Sequence, residues 1–317
     1  MADGPVHFGV KVGVDSVAEF TERARLAERL GFDSFWVGAN GRGHDPFALL
    51  AHVASVTSLR VGTAVALLPL HDPAEIARQV ATLDQVSGGR VVFGVGAGGE
   101  RPADFTVHNV DRSTRGRRMD EALPLIRRLW SGEEVRHEGR FFHVEGQLQV
   151  LPVQDHLPVW IGGRGGVSPV QRRVYERVVN AADGWMPYIM PADTYAKGQA
   201  SIRELGGDDR TWAFVAHANV GDGDGVEALE FAAGRMAGNY ARGGAASPEA
   251  LARARAYVIA GNPDDCVERL NRYVDLGVTE VVFNWACPPG AEGEQMQRLA
   301  EDVLPRVQEH AQAGAAA

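Results

Sequence analysis

From its first residues to its last, the chain alternates between short apolar runs and longer segments with apolar residues at helical spacing. That alternation leaves few architectures open. Residues 6–12, 34–37, 61–67, 91–95, 158–161, 182–186, 212–220 and 280–285 read as eight strands. Most are apolar throughout rather than at every second position, the pattern of strands covered on both faces in a parallel sheet. Helix signals stand between them. Ser16 with Glu19 forms a capping-box signature ahead of Val17, Phe20, Ala24, Ala27 and Leu30, and Gly31 ends that helix. Asp45-Pro46, Asp72-Pro73, Ser168-Pro169 and Asn262-Pro263 open others, because proline's missing N–H costs nothing at the first helical position. Ile76, Val80, Leu83 and Val86 form one apolar stripe. Met119, Leu123, Ile126 and Trp130 form a second, with a bend expected at Pro124. Met296, Leu299, Val303 and Val307 form the last.

The pattern predicts an α/β fold, a (β/α)8 TIM barrel with insertions after helix 4 and after strand 7. An open doubly wound sheet is the competitor; it requires a reversal of strand order, which a sequence does not display. The 317 residues suit a single barrel domain over 1–317, since such barrels take roughly 250 residues plus insertions. Residues 131–157 read as a β-hairpin insertion turning at 136–140. Residues 221–262 read as a Gly/Ala-rich helical excursion leaving the catalytic face, the place for a lid. Residues 311–317 read as a frayed tail.

The formal charge is −9 and basic residues are dispersed, which argues against nucleic acid or an anionic membrane surface as partner. No apolar run is long enough to span a bilayer, and Met1 leads into polar residues rather than a signal sequence. The two cysteines, Cys266 and Cys287, form neither a disulfide framework nor a zinc pattern, and a cytoplasmic location is expected.

The segment Gly94-Val95-Gly96-Ala97-Gly98-Gly99 matches the G-x-G-x-x-G dinucleotide fingerprint in letters only. Glu100-Arg101-Pro102 follows where a helix should open, and Asp120 and Glu121 fall inside an amphipathic helix instead of at a strand end. It reads as a glycine turn at the barrel rim. Gly162-Gly163-Arg164-Gly165-Gly166 is a second glycine-rich strand end, where bare backbone N–H groups and Arg164 suit a phosphate. Plain turn chemistry is the competing explanation for both. His44, His71 and His217 fall near strand C-termini, so a metal-dependent barrel lyase or hydrolase is an alternative, although no spaced ligand motif occurs. No Gly-x-Ser-x-Gly elbow is present.

Several segments together resemble the luciferase-like monooxygenase superfamily of flavin and deazaflavin oxidoreductases. They are residues 27–37 (Ala-Glu-Arg-Leu-Gly-Phe-Asp-Ser-Phe-Trp-Val), Val61-Gly62-Thr63-Ala64-Val65, residues 81–90 ending Ser87-Gly88-Gly89-Arg90, and Gly94-Val95-Gly96-Ala97-Gly98. Met119-Asp120-Glu121-Ala122-Leu123, Pro158-Val159-Trp160-Ile161-Gly162-Gly163 and Ala182-Asp183-Gly184-Trp185 continue the series in family order, with a weaker echo over 261–282. The resemblance implies a backbone bulge with a non-proline cis peptide between Ala64 and Val65 at the back of the cofactor ring. It also implies cofactor contacts from Gly62, Thr63, Ala64, Val65, Gly96, Ala97, Gly98, Gly162, Gly163 and Arg164. Many relatives carry an acid and a histidine after the second strand; here those positions read Ala39-Asn40. Asn40 can hydrogen-bond but not titrate, so His44 is the expected substitute, and the pair Asn40 and His44 is the expected catalytic set. The position of a glutamate in some deazaflavin enzymes aligns with Gly99, beside Glu100.

Arg115-Gly116-Arg117-Arg118-Met119-Asp120-Glu121 resembles the actinobacterial deazaflavin-dependent subgroup. The implied function is hydride transfer between coenzyme F420 and a small organic substrate, in a homodimer. The alternative is an FMNH2-dependent monooxygenase that uses oxygen and a partner flavin reductase. A flavin-binding barrel without catalysis is the reading from a different class.

Overall fold

A computed structural model of the chain describes residues 5–14, 16–39, 41–99, 101–164, 169–240 and 246–315. Eight parallel strands form one closed ring: His7–Lys11, Ser34–Val37, Arg60–Thr63, Val91–Gly96, Val159–Arg164, Gly184–Tyr188, Thr211–Val220 and Glu280–Trp285. Each pairs with the next, the eighth returns to the first, and the pairing of the sixth with the seventh closes the circle. The strand order never reverses, which excludes the open sheet. Among the described residues no helix is long and apolar enough to cross a membrane.

Helix starts follow the caps written in the sequence. The side chains of Ser16, Asp45, Asp72 and Asn262 each accept a backbone N–H of the first turn they precede. Asn262 completes a capping box with Asp265. Ser168 lies outside the described residues, and the helix it was expected to cap spans Pro169–Ala181. Pro124 sits inside the helix Arg115–Trp130 without ending it.

Alternation along the strands turns one set of side chains into the barrel. Trp36 and Trp160 stack inside it with ring centroids 5.5 Å apart, and Trp36 Nε1 donates to Ser34 Oγ at 2.8 Å. Beneath them Arg60 binds Glu280 at 2.6 Å and lies over the Trp160 ring. Burial pushes the Glu280 carboxyl up, and Arg60 opposes that shift. Val92, Met186, Ala213, Val215 and Val282 complete this inner cluster. The barrel is thus packed solid below its mouth.

Several expectations need correction. Val17 is 48% exposed; Phe20, Ala24 and Ala27 carry the buried stripe. The third strand is two pieces, Arg60–Thr63 and Ala66–Leu67. The sixth runs over Gly184–Tyr188, and the Asp183 side chain just before it accepts from Arg127, His156 and the Val159 N–H. The hairpin pairs Val135–Glu138 with His143–Gly146. Arg136 and Glu138 are therefore strand residues, and the turn lies at 139–142. Residues 311–315 continue the helix Leu304–Ala315, with Ala311 buried, so the expected fraying does not apply to them. The excursion holds helices Val226–Tyr240 and Pro248–Tyr257 and, unexpectedly, a strand, Val258–Gly261, parallel to the upper half of the seventh barrel strand. The helices Pro102–Val107 and Ala192–Glu204 were also missed.

Candidate active site

At the C-terminal mouth the barrel changes character from one side to the other. The third strand breaks at Ala64-Val65, where the peptide bond is cis. The break is held on both sides: Ala64 N–H donates to Val37 O at 2.8 Å and Ala39 N–H donates to Val65 O at 3.2 Å. The Val65 side chain thereby enters the mouth between the fourth and fifth strands. A Cβ added at Gly96 would lie 2.7 Å from Val65 Cγ2, and one at Gly162 would lie 2.5 Å from Val65 Cγ1. Glycine at both positions is the condition for this placement, since such distances are below van der Waals contact.

Gly62 and Thr63 belong to the wall rather than the opening. A Cβ at Gly62 would lie 2.3 Å from the Trp36 ring, and Thr63 Oγ1 donates to Gly94 O at 2.6 Å. Beyond the fourth strand, Gly98 and Gly99 take φ of +61° and +113°, which favours glycine. Arg115 closes over this turn; a Cβ at Gly99 would lie 2.7 Å from its Nε. Gly162 and Gly163 are not past the fifth strand as expected but inside it, in register with Met186 and Pro187. Gly163 is open, with Val174 Cγ1 3.9 Å from a built Cβ. Arg164 is exposed at the strand end, and Gly165 and Gly166 lie outside the described residues.

Across the mouth the inward positions are polar. Alternation from Gly9, Val215 and Val282 brings Lys11, His217 and Asn284 to the same side. A Cβ at Gly38 would lie 3.1 Å from Lys11 Nζ. Asn284 Nδ2 stands 3.1 Å from His217 Nε2. His217 is 3% exposed, its Nδ1 is buried without a hydrogen-bond partner among the described residues, and burial followed by the Lys11 charge pushes its pKa down to about 3. Tyr257, from the second excursion helix, meets the His217 ring edge-on at 6.4 Å.

Of the expected catalytic pair, Asn40 lies outside the described residues, as does Glu100. His44 is exposed on the loop that follows the second strand. His71 packs edge-on against Phe47 at 6.4 Å, and burial, then His108, pushes its pKa down. The three histidines therefore have separate surroundings, and among the described residues no group of three or more His, Cys, Asp or Glu is placed to hold a metal ion. Lys11, Asn284 and Arg115 were missed as site candidates. Strand alternation carried a signal for the first two, but only once the inward face of each strand was known.

The luciferase-like monooxygenase family profile matches residues 4–280. An F420-dependent glucose-6-phosphate dehydrogenase of Amycolatopsis mediterranei is 28% identical, over 94% of this chain and 98% of its own. The coenzyme F420-dependent tetrahydromethanopterin reductase of Methanopyrus kandleri superposes with a TM-score of 0.78 at 20% identity, covering 96% of this chain and all of its own (100%). The oxygenating constituent of 3,6-diketocamphane monooxygenase of Pseudomonas putida, solved with FMN, gives 0.75 at 18% identity, with 96% and 99% covered. With the matched profile spanning most of the barrel, the chain belongs to the luciferase-like monooxygenase family.

Proposed function

We propose that this chain is an F420-dependent oxidoreductase that transfers a hydride to or from a small organic substrate at the barrel mouth. The observation that carries the reading is the Val65 bulge seated between Gly96 and Gly162. It makes one half of the mouth a side-chain-poor, apolar surface suited to a flat ring system. The full-length likeness to a dehydrogenase named for F420 favours the deazaflavin over FMN. The residues present fit such a cofactor. Ala64 and Val65 would back the ring, while Ala97, Gly98 and Gly163 offer backbone access for a phosphate-bearing tail. Arg115 adds positive charge beside that turn. When bound, the deazaflavin supplies two-electron hydride chemistry.

The protein's own part is to position and enclose. Trp36 and Trp160 fill the barrel beneath the bulge and exclude water from below. The helix Pro248–Tyr257 brings Tyr257 over the polar half and acts as a lid on it. A small-molecule substrate would lie between the two halves. The test is titration of the purified chain with F420 and with FMN, each oxidised and reduced. Tighter binding of F420 is expected. Tighter binding of reduced FMN would move the reading to oxygen chemistry with a partner reductase, and binding of neither would end it.

A further inference from the structure

His217 faces the barrel interior with one nitrogen engaged and the other unsatisfied. Asn284 Nδ2 donates to Nε2 at 3.1 Å. The ring is neutral near pH 7, because burial and the Lys11 charge depress its pKa to about 3. A neutral imidazole carries a single proton, and a nitrogen that accepts cannot carry it. The proton is therefore on Nδ1, an N–H donor that is buried without a partner among the described residues. Buried donors are nearly always paired, so an orphan in a barrel mouth is matched to something that arrives. Its place is the polar half, opposite the Val65 bulge, where an acceptor atom of the substrate would stand. A neutral imidazole donating to a developing alkoxide is an established way of stabilising charge without surrendering the proton. The proton itself needs another source, since Ala39 cannot titrate. Lys11 is near enough for its charge to act on the His217 ring, and its Nζ lies 3.1 Å from where a Cβ at Gly38 would stand, on the side of the Ala64 carbonyl.

We propose that His217, oriented by Asn284, hydrogen-bonds the reacting oxygen of a carbonyl or alcohol substrate, and that Lys11 exchanges the proton with that oxygen. This rests on the hydride-transfer reading above. In the reducing direction a hydride forms the new C–H bond, the C=O π pair moves onto oxygen, and the Lys11 ammonium protonates it. The substrate gains two electrons, and the reduced deazaflavin that supplies them is oxidised. Lys11 then recovers its proton from solvent. Tyr257 covers His217 from the excursion, so that cover shifts to admit the oxygen.

The experiment has two arms on the full chain. Nitrogen-15 histidine spectra of wild type and His217→Gln, recorded from pH 5 to 8, assign the His217 ring. The expected signal is neutral throughout and protonated on Nδ1; a ring protonated on Nε2, or one that titrates in this range, overturns the donor assignment. In the second arm reduced F420 is mixed with cyclohexanone, benzaldehyde or decanal, and oxidised F420 with the matching alcohols. The wild type is expected to turn over at least one pair. His217→Gln and Lys11→Met are each expected to lower kcat about 100-fold while F420 affinity stays within about twofold. A chain that binds F420 but turns over no pair, or a His217→Gln variant with unchanged kcat, overturns this inference alone. A chain that binds no F420 overturns the cofactor reading with it.

Discussion

Val65 fits the mouth only because Gly96 and Gly162 have no side chains, and that dependence can be measured. In Gly162→Ala the new Cβ would meet Val65 Cγ1 at 2.5 Å and the Met186 carbonyl at 3.2 Å. Overpacking of this kind costs about 1–3 kcal/mol. In the double variant Gly162→Ala, Val65→Ala, part of that loss should return, since one clash is removed. A double-mutant cycle by denaturant unfolding checks this, and strictly additive losses would show that the two residues do not share the space. His217 gives a second prediction at the same scale. Its folded pKa, about 3, lies below the ordinary histidine value of 6.5. Between those values the unfolded chain binds the proton and the folded chain does not, so stability falls as pH drops through this window. The slope reaches at most about 1.4 kcal/mol per pH unit. Unfolding at pH 7 and pH 5 should show a loss in the wild type that is smaller in His217→Gln. An equal loss in both would place the sensitivity elsewhere.

The two insertions behave differently as elements. The hairpin is fastened to the helix Arg115–Trp130 by Glu121, which accepts from Phe142 N–H at 2.9 Å, from Phe141 N–H at 3.2 Å and from His137 Nε2 at 3.1 Å. Although burial opposes it, these bonds hold the Glu121 carboxyl below its usual range. Glu121→Ala should cost about 1–3 kcal/mol and speed amide exchange at 139–142, with F420 affinity unchanged. A loss of affinity would tie the hairpin to the site. The excursion has its own apolar cluster, in which Ala232, Ala233, Met236, Tyr257 and Val258 meet Ile189 and Ala286 of the barrel rim. As a lid it should exchange amides more slowly over 226–257 when F420 is bound; equal rates with and without cofactor would remove that role.

What the sequence displayed at this scale was local. Caps were legible because a capping side chain and the N–H it meets are three residues apart, as at Ser16 and Asp45. Barrel order followed from repetition. The strand Val258–Gly261 was not legible, since it exists by pairing with a strand on the far side of two helices. Nor was the cluster of Lys11, His217 and Asn284, whose members come from three separate strands. Asp84, Asp183 and Arg90, in the segments that carry the resemblance, turn out to fasten loops and helix ends. Asp84 accepts the N–H groups of Val153 and Gln154, and Arg90 donates to the carbonyls of Ala54 and Thr57. The family pattern was therefore readable largely because it encodes the barrel, while the residues of the mouth's polar half lie outside it.

For the whole molecule, the proposed deazaflavin lies on the glycine side of a mouth whose other side is polar, with its tail passing Gly163. That position is open, so an aspartate side chain there disturbs no packing in the barrel. The most direct measurement is a fluorescence titration of F420 into wild type and Gly163→Asp side by side, with unfolding curves recorded for both. Saturable binding is expected in the wild type, at least tenfold weaker binding in the variant, and closely similar stability in both. Equal affinity in both proteins, or no binding by the wild type, would contradict that placement.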